Sequence, residues 1–276
     1  MKVRVLTSIG IAVVGLPILF LSEYLVYPMA VALLSLAAAY EMSALTGFRS
    51  KPIVWVPSYL IAMLMPVGAY FIDADSFAYI STCVGVLIAF LFYLFGYAIF
   101  KRGKVKFADI SSHFTTLLYI SVSFTALTLV RYIENGVYMF ALVFVASWVC
   151  DVFAYFVGRA FGKHKLIEEI SPKKTIEGSV GGIVCTTLAF VLYGFIISLF
   201  EGAPKPNYIV LPILGFVLSI IAQFGDLICS LIKREHGIKD YGNIFPGHGG
   251  VLDRFDSILA VAPVLYIFCV MFPPFT

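Results

Sequence analysis

Residues 208–273 read YIVLPILGFVLSIIAQFGDLICSLIKREHGIKDYGNIFPGHGGVLDRFDSILAVAPVLYIFCVMFP. Two apolar runs, 208–232 and 256–273, enclose a segment dense in charge, histidine and glycine. Each run is long enough to cross a hydrocarbon core of about 30 Å as a helix. Continuous apolar runs argue against a transmembrane barrel, whose strands must alternate to keep a polar lumen. The same reading along the rest of the chain gives seven more spans, at 5–22, 25–45, 54–72, 77–100, 110–131, 136–158 and 179–200. The expected fold class is therefore all-α, a polytopic membrane bundle of nine helices. With 61% hydrophobic and 13% charged residues, the composition excludes an ordinary water-soluble domain.

Charge placement tests the span count independently. Of the 19 Lys and Arg residues, all but Arg131 and Lys205 fall on one side of the nine-span arrangement. The positive-inside rule makes that side cytoplasmic. The N-terminus is then expected inside and the C-terminus outside. Single cysteines replacing Lys104, Glu168 and Lys205 should label from the inside, inside and outside. Reaction of residue 205 from the cytoplasmic face would break the arrangement. The basic face either serves topology alone or also attracts anionic lipid and phosphate-bearing substrates; no nucleic-acid partner is expected.

The five cysteines, Cys83, Cys150, Cys185, Cys229 and Cys269, lie in or beside apolar runs without a CxxC pair, which speaks against a disulfide framework or a zinc site. Residues 1–23 have the basic start and apolar run of a signal peptide but no convincing small-residue cleavage site, so they read as the first membrane helix.

Ionisable groups are spread unevenly. The first five spans hold almost none in their interiors, whereas the last four carry Asp151, Asp226, Asp253 and Asp256. The chain divides on this basis into an N-terminal membrane-helix region, 1–135, and a catalytic region, 136–276, with two long cytoplasmic connections. Glu41 and His113 are single polar residues near span ends; such residues more often cap, snorkel or bond a neighbouring helix than do chemistry.

Asp226 shares a helical face with Ser230, Lys233 and Arg234, at offsets of four, seven and eight. An ionised carboxylate at that depth must be paired, either in a structural ion pair or with a metal. Asp253 and Asp256, three apart with Arg254 and Ser257 beside them, either cap the ninth span or converge on a divalent cation. Oxygen-only donors suit Mg²⁺. Asp151 sits at a depth similar to that of Asp226 and is an additional candidate ligand. Residues 246–250, PGHGG, precede a helix and so resemble phosphate-binding loops in logic, with His248 either a phosphate donor or a plain loop residue. The other cytoplasmic connection carries Ser171-Pro172-Lys173-Lys174-Thr175, whose lysines and hydroxyls suit a triphosphate or belong to an ordinary positive-inside loop.

Together these segments closely resemble the phosphatidate cytidylyltransferase (CDP-diacylglycerol synthase) family. Its C-terminal signature stands here as Ser230, Lys233, Arg234, Lys239, Asp240, Pro246 to Gly250, Asp253, Arg254, Asp256 and Ser257. The Asp151 to Tyr155 segment and the 171–175 loop match as well. Cys229 departs from the pattern, since many relatives carry a polar or acidic residue there. The resemblance covers 147–257; the N-terminal half matches only as apolar spans.

What the resemblance implies is a Mg²⁺-dependent reaction of CTP with phosphatidic acid, giving CDP-diacylglycerol and pyrophosphate, in an inner membrane with the site facing the cytoplasm. The expected catalytic set is Asp226, Lys233, Arg234, Asp253 and Asp256. The expected substrate-binding set is Ser171, Lys173, Lys174, Thr175, Ser230, Lys239, His248 and Arg254, and the metal ligands are Asp226, Asp253 and Asp256, with Asp151 and a second cation as further candidates. Membrane lipid surrounds the chain, and the family tips an even division between monomer and homodimer towards the homodimer. A cation-coupled transporter or channel accounts for Asp151 and Asp226 but poorly for two polar cytoplasmic loops. A CTP-dependent lipid kinase is the other rival.

Overall fold

The computed structural model describes residues 13, 15, 17–71, 76–102 and 104–276. Among them, eight helical stretches are long and apolar enough to cross a membrane: Val26–Leu45, Pro52–Phe71, Phe77–Phe100, Phe107–Tyr132, Gly136–Phe161, Ile176–Ser198, Val210–Glu235 and Leu252–Met271. They coincide with eight of the nine expected spans and bear out the all-α membrane class. The expected span at 5–22 lies largely outside the described residues. Asp253 falls inside the last helix rather than before it, so that helix starts four residues earlier than the apolar run alone suggests.

The chain packs as two units, residues 1–129 with 240–253, and residues 130–239 with 254–276. The first contains α1 (Val26–Leu45), α2 (Pro52–Gly68, continued by a 3₁₀ turn), α3 (Ser76–Phe100) and most of α4 (Phe107–Tyr132). Its core gathers Phe48, Val54, Ala62, Phe90, Leu94, Ile110 and Leu117. Polar groups inside lipid-embedded helices gain by finding partners within the protein, and the largest polar side chains of this core do. His113 bonds Thr46 Oγ1 at 3.0 Å and Ser58 Oγ at 2.9 Å, and the Tyr27 hydroxyl donates to the Leu127 carbonyl at 3.0 Å. His113 is thus a helix-to-helix clasp.

The second unit contains α5 (Gly136–Phe144), a π turn at Val145–Val149, α6 (Cys150–Phe161), a hairpin of β1 (Lys165–Ile167) and β2 (Ser171–Thr175), α7 (Ile176–Ser198), α8 (Val210–Glu235), and α9 (Leu252–Met271) from Arg254 onward. α6 and α7 approach closely because Gly178 and Gly182 face α6. A Cβ on Gly178 would lie 2.6 Å from the Ala154 carbonyl, and one on Gly182 would lie 3.0 Å from that of Cys150. This is the small-residue seam by which membrane helices gain van der Waals contact.

The hairpin is a feature that apolar periodicity does not announce. β1 and β2 pair antiparallel, Lys165 with Thr175 and Ile167 with Ser171. Glu177, in the first turn of α7, fastens its base: Oε2 accepts from the amides of Lys163 and His164 at 3.1 and 3.3 Å, and Oε1 meets His164 Nδ1 at 2.7 Å. At the other end of the unit, the amide of Lys205 donates to the Thr276 carbonyl at 2.7 Å and the reverse bond measures 3.0 Å. The connection before α8 and the residues after α9 therefore lie together, as two spans returning to one side require.

Candidate active site

Thr175 is the N-cap of α7. Its side chain accepts from the Gly178 amide at 3.2 Å, a bond that fixes where the hairpin ends and the helix begins. That junction places Lys173 and Lys174, on β2, beside α6 and the C-terminal half of α8. Between them lies a cavity of about 340 Å³, lined by Asp151, Tyr155 and Arg159 of α6, Ser171, Lys173, Lys174 and Thr175 of the hairpin, Ser179 of α7, and Gln223, Asp226 and Ser230 of α8. One charged hairpin and the faces of three membrane helices thus open on one space. Five of the expected site residues from the 171–175 loop and α8 (Ser171, Lys173, Lys174, Thr175 and Ser230) meet there, together with Asp151 and Asp226.

The dominant interaction is an ion pair between Lys174 Nζ and Asp226 Oδ2, with about a quarter of each side chain exposed. A half-buried pair of this kind holds its geometry more firmly than a surface pair, because neither charge can be left alone without a large desolvation cost. Asp226 is not an isolated acid. Asp256 on α9 lies within the electrostatic reach of Asp226, Asp151 and Lys233, and Asp151 within that of Asp226 and Lys174. Gly225 explains how α8 and α9 bring Asp226 and Asp256 so near: a Cβ there would stand 2.6 Å from the Asp256 carbonyl and 2.7 Å from Ala260 Cβ. Only a residue without a side chain permits that backbone contact. Asp226 and Asp256 thus act on each other electrostatically across the contact of α8 with α9.

Gln223, one turn before Asp226, accepts from the Ser179 hydroxyl through Oε1 and donates from Nε2 to the Ser179 carbonyl at 3.3 Å and to Cys150 Sγ at 3.5 Å. Cys150 Sγ in turn donates to the Ser219 carbonyl at 3.5 Å. This buried network ties α6, α7 and α8 beneath the cavity. Sequence reasoning passed over Gln223 because a single amide in an apolar run carries no charge signal.

The remaining expected residues are placed as follows. Lys233 acts electrostatically on Asp256 from the end of α8. Arg234 Nε donates to the Ile170 carbonyl at 3.4 Å, linking α8 to the hairpin turn. Lys239 and Arg254 are exposed, and His248 is partly buried. Asp253 Oδ2 accepts from the amides of Tyr241 and Gly250 at 2.8 and 2.9 Å, and the amides of Val251 and Leu252 donate to Glu41 at 2.9 and 3.0 Å. Within the 246–250 loop that resembled a phosphate cradle, the Gly250 amide is thus taken up by Asp253 and the His248 amide donates to the Phe245 carbonyl at 2.8 Å. The capping reading of Asp253 has direct geometry behind it.

Among the described residues, no three His, Cys, Asp or Glu side chains gather so as to hold a metal by themselves. Mg²⁺ ordinarily takes one or two carboxylates and fills its octahedron with water and substrate phosphate. Asp226 and Asp256, oxygen donors on adjacent helices beside a cavity rich in cations, fit an ion that arrives with a polyphosphate better than a permanently resident one.

A membrane helical bundle with carboxylates and lysines converging at one end of its helices suits transfer between a polar phosphate compound and a lipid. The sequence profile of the cytidylyltransferase family matches residues 2–272, and the chain belongs to that family. It is 34% identical to the phosphatidate cytidylyltransferase of Staphylococcus haemolyticus, across 97% of this chain and 98% of that protein. It is 36% identical to that of Staphylococcus epidermidis over the same shares, and 35% identical to that of Bacillus subtilis over 99% and 98%. The family expected from the 230–257 signature is borne out, and the likeness extends into the N-terminal half.

Proposed function

We propose that this chain transfers the cytidylyl group of CTP to phosphatidic acid, forming CDP-diacylglycerol and pyrophosphate in phospholipid biosynthesis. The observation that carries the reading is the Lys174–Asp226 pair, set in a cavity bounded by the charged hairpin on one side and membrane-spanning helices on the other. Such a space admits a water-soluble triphosphate and a lipid phosphate together. It opens at the basic end of the helices, which supports an orientation with the site towards the cytoplasm of a bacterial cell membrane. The catalytic groups belong to 136–276, with 1–135 as a helical region that supports them.

In the reaction an oxygen of the lipid phosphate attacks the α-phosphorus of CTP. The bond from that phosphorus to the oxygen bridging to the β-phosphate breaks, and pyrophosphate leaves with its electron pair. No covalent enzyme intermediate is needed; catalysis consists of holding the groups in line and offsetting charge. Lys173 and Lys174, with Ser171 and Ser230, bind the triphosphate. Lys233, Arg234, Lys239 and Arg254 surround the approach with positive charge, and His248 is a further donor from the loop. Asp226 and Asp256 would hold Mg²⁺, with Asp151 adjacent and Asp253 beginning the helix that carries Asp256. When bound, the ion offsets negative charge on the phosphates. A second cation and a homodimer remain part of the proposal.

Mixing the purified chain with CTP, phosphatidic acid and Mg²⁺ should yield CDP-diacylglycerol and pyrophosphate in equal amounts. A phosphorylated lipid with CDP would instead identify a kinase, and neither product would sink both enzyme readings. Lys173→Ala should raise the KM for CTP by about tenfold, the scale of one charge-assisted phosphate contact, while leaving the KM for lipid within about twofold. A shift in the lipid KM alone would remove the hairpin from the triphosphate site.

A further inference from the structure

Beside the cavity that holds the Lys174–Asp226 pair, and wholly within the second unit, a smaller space of about 180 Å³ lies between α7 and α8. Ile183 of α7 and Ile220, Phe224 and Leu227 of α8 form its walls, and Leu166 and Ile167 of β1 complete it. Phe224 and Ile167 are exposed, so the space is an open groove and not a sealed void. Its two polar residues, Ser179 and Gln223, are bonded to each other. The Ser179 hydroxyl donates to Gln223 Oε1, and Gln223 Nε2 donates to the Ser179 carbonyl at 3.3 Å. Those bonds leave the groove little to offer water or a polar ligand.

Leu166, Ser179 and Gln223 line the larger cavity as well. The groove therefore continues from the polar space, and along that path the character of the lining changes sharply. Lys173, Lys174 and Asp226 border the cavity, whereas beyond Ser179 and Gln223 the groove presents hydrocarbon side chains alone. Along α8 it runs from Leu227 to Ile220, about 10 Å of helix.

We propose that this groove receives one acyl chain of the lipid substrate while the lipid's phosphate lies in the cavity. The proposal rests on the cytidylyl-transfer reading and adds to it the place where substrate passes from polar surroundings to hydrocarbon. A chain in the groove exchanges lipid contacts for side-chain contacts of similar polarity, so the hydrophobic gain is small and shape decides. Lodged between α7 and α8, the chain sets where the glycerol backbone and its phosphate stop relative to Lys174, and so aligns the attacking oxygen. Ile183 and Ile220 then determine which lipids react well.

The experiment measures kcat/KM for dipalmitoyl and dihexanoyl phosphatidic acid in mixed detergent micelles, the second lipid having little chain to place in the groove. Wild type is compared with Ile220→Trp and Ile183→Trp, whose indoles fill the groove from either wall. Leu188→Trp is the control, since Leu188 is 63% exposed on α7 and lies outside the groove. Each groove variant should lower the ratio of dipalmitoyl to dihexanoyl kcat/KM by about tenfold, the discrimination that contacts in a hydrophobic pocket give, with the KM for CTP within about twofold. Misfolded protein cancels from a ratio taken on one sample. An unchanged ratio in both groove variants, as a packing fault or a lost contact between two copies of the chain would give, overturns the proposal. So does an equal change in Leu188→Trp.

A second measurement needs no turnover and no variant. Phosphatidic acid carrying a diazirine partway along one chain, photolysed with the wild-type protein, should label residues 179–183 and 220–227. Excess unlabelled phosphatidic acid should suppress that labelling where the same amount of phosphatidylcholine does not. Equal suppression by both lipids would mean that bulk lipid occupies the groove, and that result, or no label at these residues, overturns the proposal. Wild-type protein that forms no CDP-diacylglycerol from either lipid would overturn the cytidylyl-transfer reading, and the label would still decide whether a phosphatidic acid chain lies in the groove.

Discussion

Asp226→Asn is expected to lower turnover by about 10³-fold or more, the loss that accompanies removal of several kcal/mol of charge stabilisation from a phosphoryl-transfer site. The carboxylate is the partner of Lys174 and a close neighbour of Asp256 and Asp151. Its neutralisation would remove the charge proposed to hold Mg²⁺ and leave Lys174 half-buried without its partner. The second consequence alone would lower stability, so a loss of activity in the single variant has two readings. Asp226→Asn combined with Lys174→Met, compared with Lys174→Met alone, separates them, because removing both charges relieves the unpaired cation while the single lysine variant accounts for the lost triphosphate contact. If the pair is only structural, the double variant matches or exceeds Lys174→Met in stability and turnover. If Asp226 takes part in the reaction, thermal stability returns while turnover stays far below that of Lys174→Met. Double-variant turnover above about a tenth of the Lys174→Met value would move Asp226 out of the catalytic set.

Gly225→Leu should reduce turnover by about 10²-fold with a smaller effect on stability, the price of displacing reacting groups by about 1 Å. The new Cβ would meet the Asp256 carbonyl, Ala260 Cβ and the Ser257 Cα at 2.6, 2.7 and 3.2 Å. Two of these are backbone atoms of α9, so side-chain rotation cannot relieve the clash and α8 and α9 must separate. Over-packing of that kind costs about 1–3 kcal/mol. Asp226 is the next residue along α8, and Asp256 supplies the clashing carbonyl, so the separation falls directly between the two acids. Gly96→Ala is the control, since a Cβ there meets nothing within 4 Å. Equal turnover in the Gly225 variant and the control would show that the distance between the acids is immaterial.

The spans were legible because bilayer thickness imposes a length and a polarity that few sequences mimic, and α1 to α9 follow that imposition closely. Asp226 and Asp256 were legible for a related reason: carboxylates are so unfavourable in such runs that each one demands an explanation. The hairpin was not legible. Its strands are three and five residues long, too short for alternation to show, and its lysines satisfied the positive-inside rule without further structure. Nor was the Lys174–Asp226 pair, whose partners are joined only by the folding of β2 onto α8. Glu41 was the clearest omission. Capping was among its expected roles, but the helix it caps is not its own, and nothing local in α1 points to residues 251 and 252. The same long-range contact takes up the two amides at the start of α9, just after the glycine-rich loop, that an anion would otherwise meet.

The π turn at Val145–Val149 carries a consequence for how this gene can change. A π turn inserts one residue relative to an α-helix, and each residue of helix advances about 100°. Everything after the turn, including Cys150 beneath the cavity and Asp151 on its wall, is rotated by that amount relative to an unbroken helix begun at Gly136. Substitutions along the outward side of this span, where Trp148 and Val152 are exposed, leave the rotation as it is. Deleting a single codon between 145 and 149 would let the helix close regularly and swing Asp151 by about a quarter turn, away from Asp226. For this stretch of the chain the number of residues is under tighter constraint than their identity.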